Sequence, residues 1–311
     1  MQAIFNIILN ALISFSFLSL ATFGIVLIFK TSSTTNFAQG MLGILGAYTT
    51  SYIIDQKGVS DFTGLPSVNI NNPLSLILPI LGGMLVSFIF GYLIDAVIFR
   101  KSKFTNAATK QIITMGLVIG LSGLIPVIFG ETITRASFKF TDETIQLLGL
   151  GIPLHRIITL IISGIIILTI FIVLKYTKWG LGVRSVASNE RIAGLMGVNT
   201  NKINALSWGI AGALGALSAI TYTAAISSLS ISAMTDIQIN AFYASILGGF
   251  QTFYGPLIGA FILNIGQSAI PMLLVNYGLA QWGNTILYLI IMLVVLIKPN
   301  GIFGKRIVKK V

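Results

Sequence analysis

The sequence predicts an all-α polytopic membrane protein, and three observations support this fold class. Of the 311 residues, 55% are hydrophobic and only 9% are charged, whereas ordinary soluble domains carry roughly 25% charged residues. The stretch 203–297 contains one charged side chain, Asp236. Basic residues cluster on both sides of it, in the segments 175–202 and 298–310. Charge is costly in hydrocarbon, and Lys and Arg gather at the cytoplasmic ends of spans. This pattern is therefore typical of a chain that crosses a membrane several times.

About nine stretches are apolar enough to cross a bilayer as helices, each crossing needing about 20 residues. The second stretch is interrupted by glycine, and the seventh is short. If the seventh and eighth form a re-entrant hairpin, there are fewer crossings, so we expect about 8–10 transmembrane helices with broken or re-entrant segments. The candidate spans are 5–29, 37–54, 73–99, 111–130, 157–174, 205–225, 237–249, 256–274 and 282–297.

The basic residues predict the orientation of a single membrane domain that covers residues 1–311. Clusters at 100–110, in the polar segment 176–204 and in the tail 298–311 mark the cytoplasmic side. The segments 55–72 and 131–156 are expected outside. Counting crossings between these markers places the N-terminus outside and the C-terminus in the cytoplasm.

The composition also narrows the classes of function. The net charge of +11 reflects topology rather than nucleic-acid binding, because the basic residues lie at the ends of apolar runs. The absence of cysteine excludes disulfides, thiolate catalysis and Cys-ligated metals. The predicted spans contain no paired carboxylates, metal-ligand cluster or Ser/His/Asp set, and the chain has no phosphate-binding loop. We therefore expect no enzymatic activity and no bound cofactor or metal, and any ATP must be used by another polypeptide.

Asp95 is the one ionisable residue that the predicted spans contain, about one turn from Arg100. Proton-driven carriers usually need buried carboxylates or histidines as relays. The sequence therefore argues against proton coupling. Sodium coupling stays open, because backbone carbonyl groups can coordinate sodium.

Two spans are interrupted by polar or glycine-rich sequence, at 31–40 and 240–251. Unwound backbone is tolerated at membrane depth only beside protein or a water-filled cavity, so such interruptions point to a substrate path. The candidate pathway residues are Asn36, Phe37, Gln39, Gly40, Asn240, Ser245, Gly248 and Gly249.

A short amphipathic helix is predicted between the fifth and sixth spans. Ser188 can cap its start, and Glu190 lies where the positive end of the helix favours an acidic side chain. Ile192, Leu195 and Met196 fall on one face at i, i+3, i+4 spacing. This apolar ridge either enters a groove of a partner protein or lies on lipid.

The sequence also predicts where this short helix ends. Gly197 suits the left-handed position that terminates a helix. Asn199 or Thr200 can cap the sixth span.

Short motifs occur in order along nearly the whole chain. They are TNFAQG at 35–40 followed by GAY at 46–48, LMGVN at 195–199, LGG at 247–249, GP at 255–256 and KPNGIFG at 298–304. The sequence thereby resembles the permease subunits of branched-chain amino-acid ABC importers, in their NFAxG…GAY signature, their cytoplasmic coupling loop and their RPxGLFG ending. Lys298 and Ile302 depart mildly from the last pattern.

The resemblance implies the ABC importer permease fold and a set of partners. Two permeases, identical or different, would form the pathway in the bacterial cytoplasmic (inner) membrane. Two cytoplasmic ABC ATPases would dock on the coupling helices and use the ATP, and an extracytoplasmic binding protein would deliver the substrate. The segment 187–198 would be the coupling helix, with polar contacts from Glu190 and Arg191 and an apolar ridge of Leu195 and Met196. The implied coupling residues are Arg184, Ser188, Glu190, Arg191, Leu195, Met196 and Gly197.

The resemblance favours branched-chain amino acids as the substrate, and several alternatives stay open. Within the same class these are urea or short amides, other hydrophobic amino acids, and nucleosides or sugars. From other classes they are a self-contained channel, a sodium-coupled carrier and a membrane enzyme.

Overall fold

The computed structural model describes residues 2–54, 73–100, 106–130, 134–135, 141, 143–147 and 150–304. Its helices are α1 (Gln2–Ser32), α2 (Gln39–Ile54), α3 (Ile77–Leu93), α4 (Ala107–Phe129), α5 (Leu154–Tyr176), α6 (Lys178–Ser188), α7 (Glu190–Leu195), α8 (Thr200–Ile226), α9 (Thr235–Gly248), α10 (Gly255–Leu274) and α11 (Gly283–Ile297). A 3-10 turn, Pro73–Leu76, precedes α3, and a π-helical turn, Ile94–Phe99, extends it. Two further 3-10 turns, Val275–Tyr277 and Ala280–Trp282, join α10 to α11.

Among the described residues, four short strands lie between the helices, namely β1 (Thr134–Arg135), β2 (Thr144–Leu147), β3 (Leu150–Pro153) and β4 (Leu229–Ser230). β1 pairs antiparallel with β4, and β2 pairs antiparallel with β3. These strands follow α4, precede α5 and follow α8, so they mark one end of the bundle, which we call the strand end. The opposite end carries the end of α1, helices α6 and α7, and residues 298–304; we call it the tail end.

Seven helical stretches of the described chain are long and apolar enough to cross a membrane. They lie in α1, α3, α4, α5, α8, α10 and α11. Helices α2 and α9 have only 16 and 14 residues, and they correspond to the second and seventh predicted spans. The interruption predicted at 240–251 was misplaced, because α9 is continuous to Gly248 and the non-helical stretch 227–234 lies before it. The prediction of an all-α polytopic membrane protein is confirmed.

Burial separates a central pair of helices from an outer set. The apolar windows of α1 and α8 are 78% and 72% buried, whereas those of α4, α5 and α11 are each 17% buried. Apolar side chains that are not covered by the chain itself need lipid or another protein around them.

Close packing between α2 and α8 depends on small residues. A Cβ on Gly43 would lie 2.5 Å from the carbonyl oxygen of Gly215, and a Cβ on Gly46 would overlap that of Ala216. Gly43 and Gly46 therefore let these two backbones approach, as is usual where packing replaces the hydrophobic drive.

Two passages through the bundle are broken in the same manner. Helix α1 ends at Ser32, and Ser33 is left-handed with φ 50°. Helix α8 ends at Ile226, and Ser227 is left-handed with φ 55°. In each case a non-helical stretch follows before the next helix begins.

The first break returns the chain to the middle of the bundle. Gln39, which begins α2, lies against Gly24 of α1 and Gly215 of α8. Gly24 is eight residues before the end of α1, a distance of roughly 12 Å along a helix. Gly215 is near the centre of α8. Helix α2 therefore begins at mid-depth rather than at the tail end.

The second break returns the chain to the same depth as the first, because Gln238, near the start of α9, contacts Gly40, near the start of α2. Helix α9 therefore runs from mid-depth to the tail end. There Gly249 lies against Asn300, and the Ile302 amide donates to the carbonyl of Leu247 over 2.8 Å. On the far side of the turn, the Lys30 ammonium donates to the Gln251 carbonyl over 2.8 Å. Helices α9 and α10 thus form a hairpin that α1 and the tail hold together.

Candidate translocation pathway and coupling surface

The start of α2 is organised by buried side-chain amides. Asn36 and Gln39 are 0% and 1% exposed. The Gln39 amide nitrogen donates to the carbonyl of Ala211 over 2.6 Å, and the Asn36 amide nitrogen donates to the Gln39 side-chain oxygen over 3.3 Å. The backbone amide of Ala38 donates to the Asn36 side-chain oxygen over 2.9 Å. These bonds satisfy polar groups that an unwound backbone leaves inside the bundle.

Gln238 joins this network from α9, and the sequence analysis missed it. Its side-chain oxygen accepts from the Gly40 amide, and its nitrogen donates to the Asn36 carbonyl over 3.1 Å. An amide at the second residue of the predicted seventh span, 237–249, was the available signal. Gln238 therefore ties the start of one interrupted passage to the start of the other.

A cavity of about 140 Å³ opens beside this network. Its walls come from α2, α4 and α9 and from the stretches just before α2 and α9, and they are mainly apolar. The Phe37 ring lies 5.0 Å from that of Phe242, and its backbone amide donates to the Thr114 hydroxyl over 3.2 Å. The lining residues are Phe37, Gly40, Met41, Val118, Ile231, Met234, Thr235, Gln238 and Ile239.

The predicted pathway residues fall into two groups. Asn36, Phe37, Gln39 and Gly40 all belong to the network or the cavity. The other four, all on α9 or at its end, lie outside both. Their place in a pathway stays a prediction.

Those four residues make contacts of their own. The Asn240 oxygen accepts from the Tyr288 hydroxyl over 2.9 Å and from the Gln267 amide over 3.1 Å. The Ser245 hydroxyl donates to the Ala241 carbonyl within its own helix. Gly248 and Gly249 pack against Gly255 and the tail.

Asp236 is an exposed carboxylate in the first turn of α9. Asp95 is the one ionisable residue within the predicted spans, but the helices extend beyond those spans and include further ionisable side chains. Helix α9 begins at Thr235, two residues before the predicted span, and α1 continues to Ser32 and so includes Lys30. An acidic residue at a helix start gains about 0.3–1 kcal/mol from the helix dipole, whereas a carboxylate at mid-depth in lipid costs about 2.5–3.5 kcal/mol. The face of α9 that carries Asp236 therefore needs water or protein around it.

The predicted short helix between the fifth and sixth spans is present as α7, and its start differs from the prediction. Asn189, not Ser188, is the N-cap, since its side-chain oxygen accepts from the Ile192 amide over 3.0 Å. Ser188 instead ends α6, a helix that the sequence analysis did not predict. The C-terminal end of α7 agrees with the prediction, because Gly197 is left-handed with φ 86° and the Asn199 side chain caps α8.

The apolar ridge of α7 is uncovered. Leu195 and Met196 are 81% and 80% exposed, and Ile192 is 57% exposed. A groove of about 540 Å³ lies between α6 and α7, and Arg184, Ser188 and Met196 are among its lining residues. The structure therefore presents ridge and groove together on one surface at the tail end.

The polar residues of this surface differ in their bonds. The Glu190 carboxylate accepts from the Asn204 amide nitrogen over 2.8 Å, which links α7 to α8. The Arg184 guanidinium donates to the Lys175 carbonyl over 3.2 Å. Arg191 is exposed. Contacts of all these residues with an ATPase stay a prediction.

The family follows from a match over nearly the whole chain. The profile of the family described as branched-chain amino acid transport system / permease component matches residues 7–296. The chain belongs to this permease family. The resemblance drawn from the motifs is thereby confirmed, and with it the fold class of an ABC importer permease.

Relatives of this permease cover almost its full length. It is 28% identical to a probable branched-chain amino acid transport permease protein, LivH, of Methanocaldococcus jannaschii, over 95% of this chain and 91% of the relative. It is 23% identical to the high-affinity branched-chain amino acid transport system permease protein BraD of Pseudomonas aeruginosa, over 98% and 97%. It is 26% identical to the ribose import permease protein RbsC of Haemophilus influenzae, over 77% and 73%. No solved structure matches it.

Proposed function

We propose that the chain is the membrane subunit of an ATP-driven importer of branched-chain amino acids. The observation that carries this proposal is the family match over residues 7–296. Relatives named for branched-chain amino acids, which cover over nine-tenths of the chain, support the substrate class. The chain itself would catalyse no reaction and bind no cofactor. It would lie in a bacterial cytoplasmic membrane with its N-terminus outside and its tail end in the cytoplasm.

Partners supply the energy and the substrate. Cytoplasmic ABC ATPases would cover the ridge of Leu195 and Met196, because exposed apolar side chains at a polar end favour a protein partner. A second permease, identical or related, would complete the pathway, and an extracytoplasmic binding protein would deliver the amino acid to the strand end. The stretches 55–72 and 131–156 would meet that protein, and the first of them lies outside the described residues.

A continuous set of contacts supports a route from the ATPase to the pathway. Glu190 of α7 is bonded to Asn204 of α8. Further along α8, the carbonyl of Ala211 accepts from Gln39 at the start of α2. A displacement of α7 on ATPase closure would therefore reach the interrupted stretch through α8, as in other transporters that rock rigid elements about a fixed site.

ATP-dependent uptake tests this function. The chain is reconstituted in liposomes with its companion permease, ATPases and binding protein, and uptake of labelled leucine, isoleucine and valine is measured. We expect uptake that requires ATP and ceases when the ATPases carry a substitution that blocks hydrolysis. Uptake that continues without ATP would instead support a self-contained channel or sodium-coupled carrier.

A sugar importer is the second candidate, because the ribose import permease is 26% identical over 77% of the chain. Excess unlabelled ribose, urea and nucleosides are added to the same uptake assay. We expect leucine uptake to be unaffected by them and to be reduced by unlabelled isoleucine. Labelled ribose entering in place of leucine would reassign the substrate.

A further inference from the structure

We infer that Asp236 and the adjoining cavity form a transport site for an aliphatic amino acid, in which the Asp236 carboxylate binds the substrate's ammonium group. This inference rests on the proposed function and adds a ligand site to it. The cavity is the one lined by Phe37, Met41, Val118 and Ile239, among others.

The Asp236 carboxylate lies in a part of the chain that is otherwise uncharged. It is the one charged side chain in the stretch 203–297. It is exposed, and it forms no hydrogen bond or ion pair with the residues that the structure describes. Its helix begins at mid-depth, because Gln238 contacts both Asn36 and Gly40 there. A free carboxylate at this depth costs more in lipid than the helix dipole returns, so its face needs water, a polar ligand or protein around it.

The geometry of α9 connects this carboxylate to the cavity. Ile239 follows Asp236 by three residues, so their side chains are neighbours on one face, about 5–6 Å apart at Cβ. Ile239 and Thr235 both line the cavity. Asp236 is not itself among the lining residues, but it adjoins two that are, Thr235 in sequence and Ile239 on the next turn. An ammonium group bound to it would therefore place an aliphatic side chain near the apolar walls.

The start of α2 is unsuited to bind the carboxylate of the substrate. Its backbone amides at Ala38 and Gly40 already donate to Asn36 and Gln238. Thr235, in the same turn as Asp236, is exposed and lines the cavity. Its hydroxyl can therefore donate a hydrogen bond to the carboxylate of the substrate. The site thus recognises an ammonium group and an aliphatic group, which together are the chemistry of a branched-chain amino acid.

The test measures binding on the permease directly. The chain lacks cysteine, so Ile239→Cys provides a single thiol at the cavity in the complex with hydrolysis-deficient ATPases. Alkylation by a small maleimide is followed with leucine, with 3-methylbutylamine, which lacks the carboxylate, and with 4-methylpentanoate, which lacks the ammonium group. We expect protection by leucine and by the amine and none by the acid. Equal protection by the acid, or protection by none of the three, would overturn the site.

Charge substitutions identify the group responsible. With Asp236→Asn, we expect half-maximal protection by leucine to need about tenfold more ligand, and leucine uptake to fall by about the same factor. Asp236→Glu should restore both to within about threefold. Glu143→Gln, which removes an exposed carboxylate at the strand end, is the matched control and should change neither. Unchanged protection with Asp236→Asn would refute the role of the carboxylate.

A bulky substitution tests the aliphatic part of the site. Val118→Trp would occupy the cavity and should abolish protection by leucine. Val127→Trp, on the same helix but 82% exposed and away from the cavity, should leave it intact. If the unsubstituted complex takes up leucine with ATP but none of these changes alters protection, this site is refuted while the proposed function stands. If the complex takes up no leucine at all, the proposed function itself fails.

Discussion

Single residues hold the interrupted passages in place. Gln39 and Gln238 each bond a backbone group of a distant segment, 172 and 202 residues away respectively. Gln39 could be predicted because it lies in a recognisable polar interruption. Gln238 was missed because its one local signal, an amide in an apolar span, does not indicate which distant segment it contacts. Asp236 was left just outside a span for a related reason. Where α9 begins depends on contacts with α2 rather than on hydropathy.

Gly248 illustrates how packing changes the expectation for a predicted pathway residue. A Cβ at this position would overlap the carbonyl oxygen of Gly255, so even alanine must force the α9–α10 hairpin apart. We expect Gly248→Ala to lower the melting temperature of the detergent-solubilised protein by several degrees, as overpacking of about 1–3 kcal/mol would. Gly116→Ala is the matched control, because nothing lies within 4 Å of a Cβ there. Equal melting temperatures for both variants would contradict the close packing.

Among the elements, α7 was predicted and α6 was not. Capping residues and an apolar ridge mark α7 locally, although the cap proved to be Asn189 rather than Ser188. Helix α6 contains Gly180 and Gly182, which lower its intrinsic helix propensity. The structure explains both glycines. A Cβ on Gly180 would overlap the Leu174 carbonyl, and one on Gly182 would lie 2.7 Å from Ile203. Tertiary packing therefore favours a helix that local sequence does not.

The exposed ridge of α7 predicts how docking can be broken without unfolding. Leu195 is 81% exposed, so Leu195→Asp should leave the bundle stable while placing a charge in the interface. We expect the ATPase to be lost when the permease is purified by a tag, with an unchanged melting temperature for the permease alone. Leu195→Met retains an apolar side chain and should retain the ATPase. Normal recovery of the complex with Leu195→Asp would contradict the assignment of α7 as the coupling helix.

For the whole molecule, hydropathy and basic clusters were sufficient to predict the membrane fold. Each of the nine predicted spans corresponds to a helix in the described chain, with ends that differ by a few residues. What hydropathy could not give is the depth at which α2 and α9 begin. That depth depends on contacts such as those between Gln238 and Gly40, which join segments far apart in sequence.

The order of the passages gives a prediction about sidedness. The described helices make nine passages, which place Gln2 and Gly304 on opposite sides, and the basic clusters predict the tail end inside. In a chain without cysteine, Ser67→Cys and Ser188→Cys are each a single thiol. A membrane-impermeant maleimide should label Ser67→Cys in intact cells, because 55–72 is predicted outside. Ser188→Cys, exposed at the tail end beside the coupling helix, should be labelled only after lysis. The reverse pattern would invert the protein in the membrane and place α7 out of reach of any cytoplasmic ATPase.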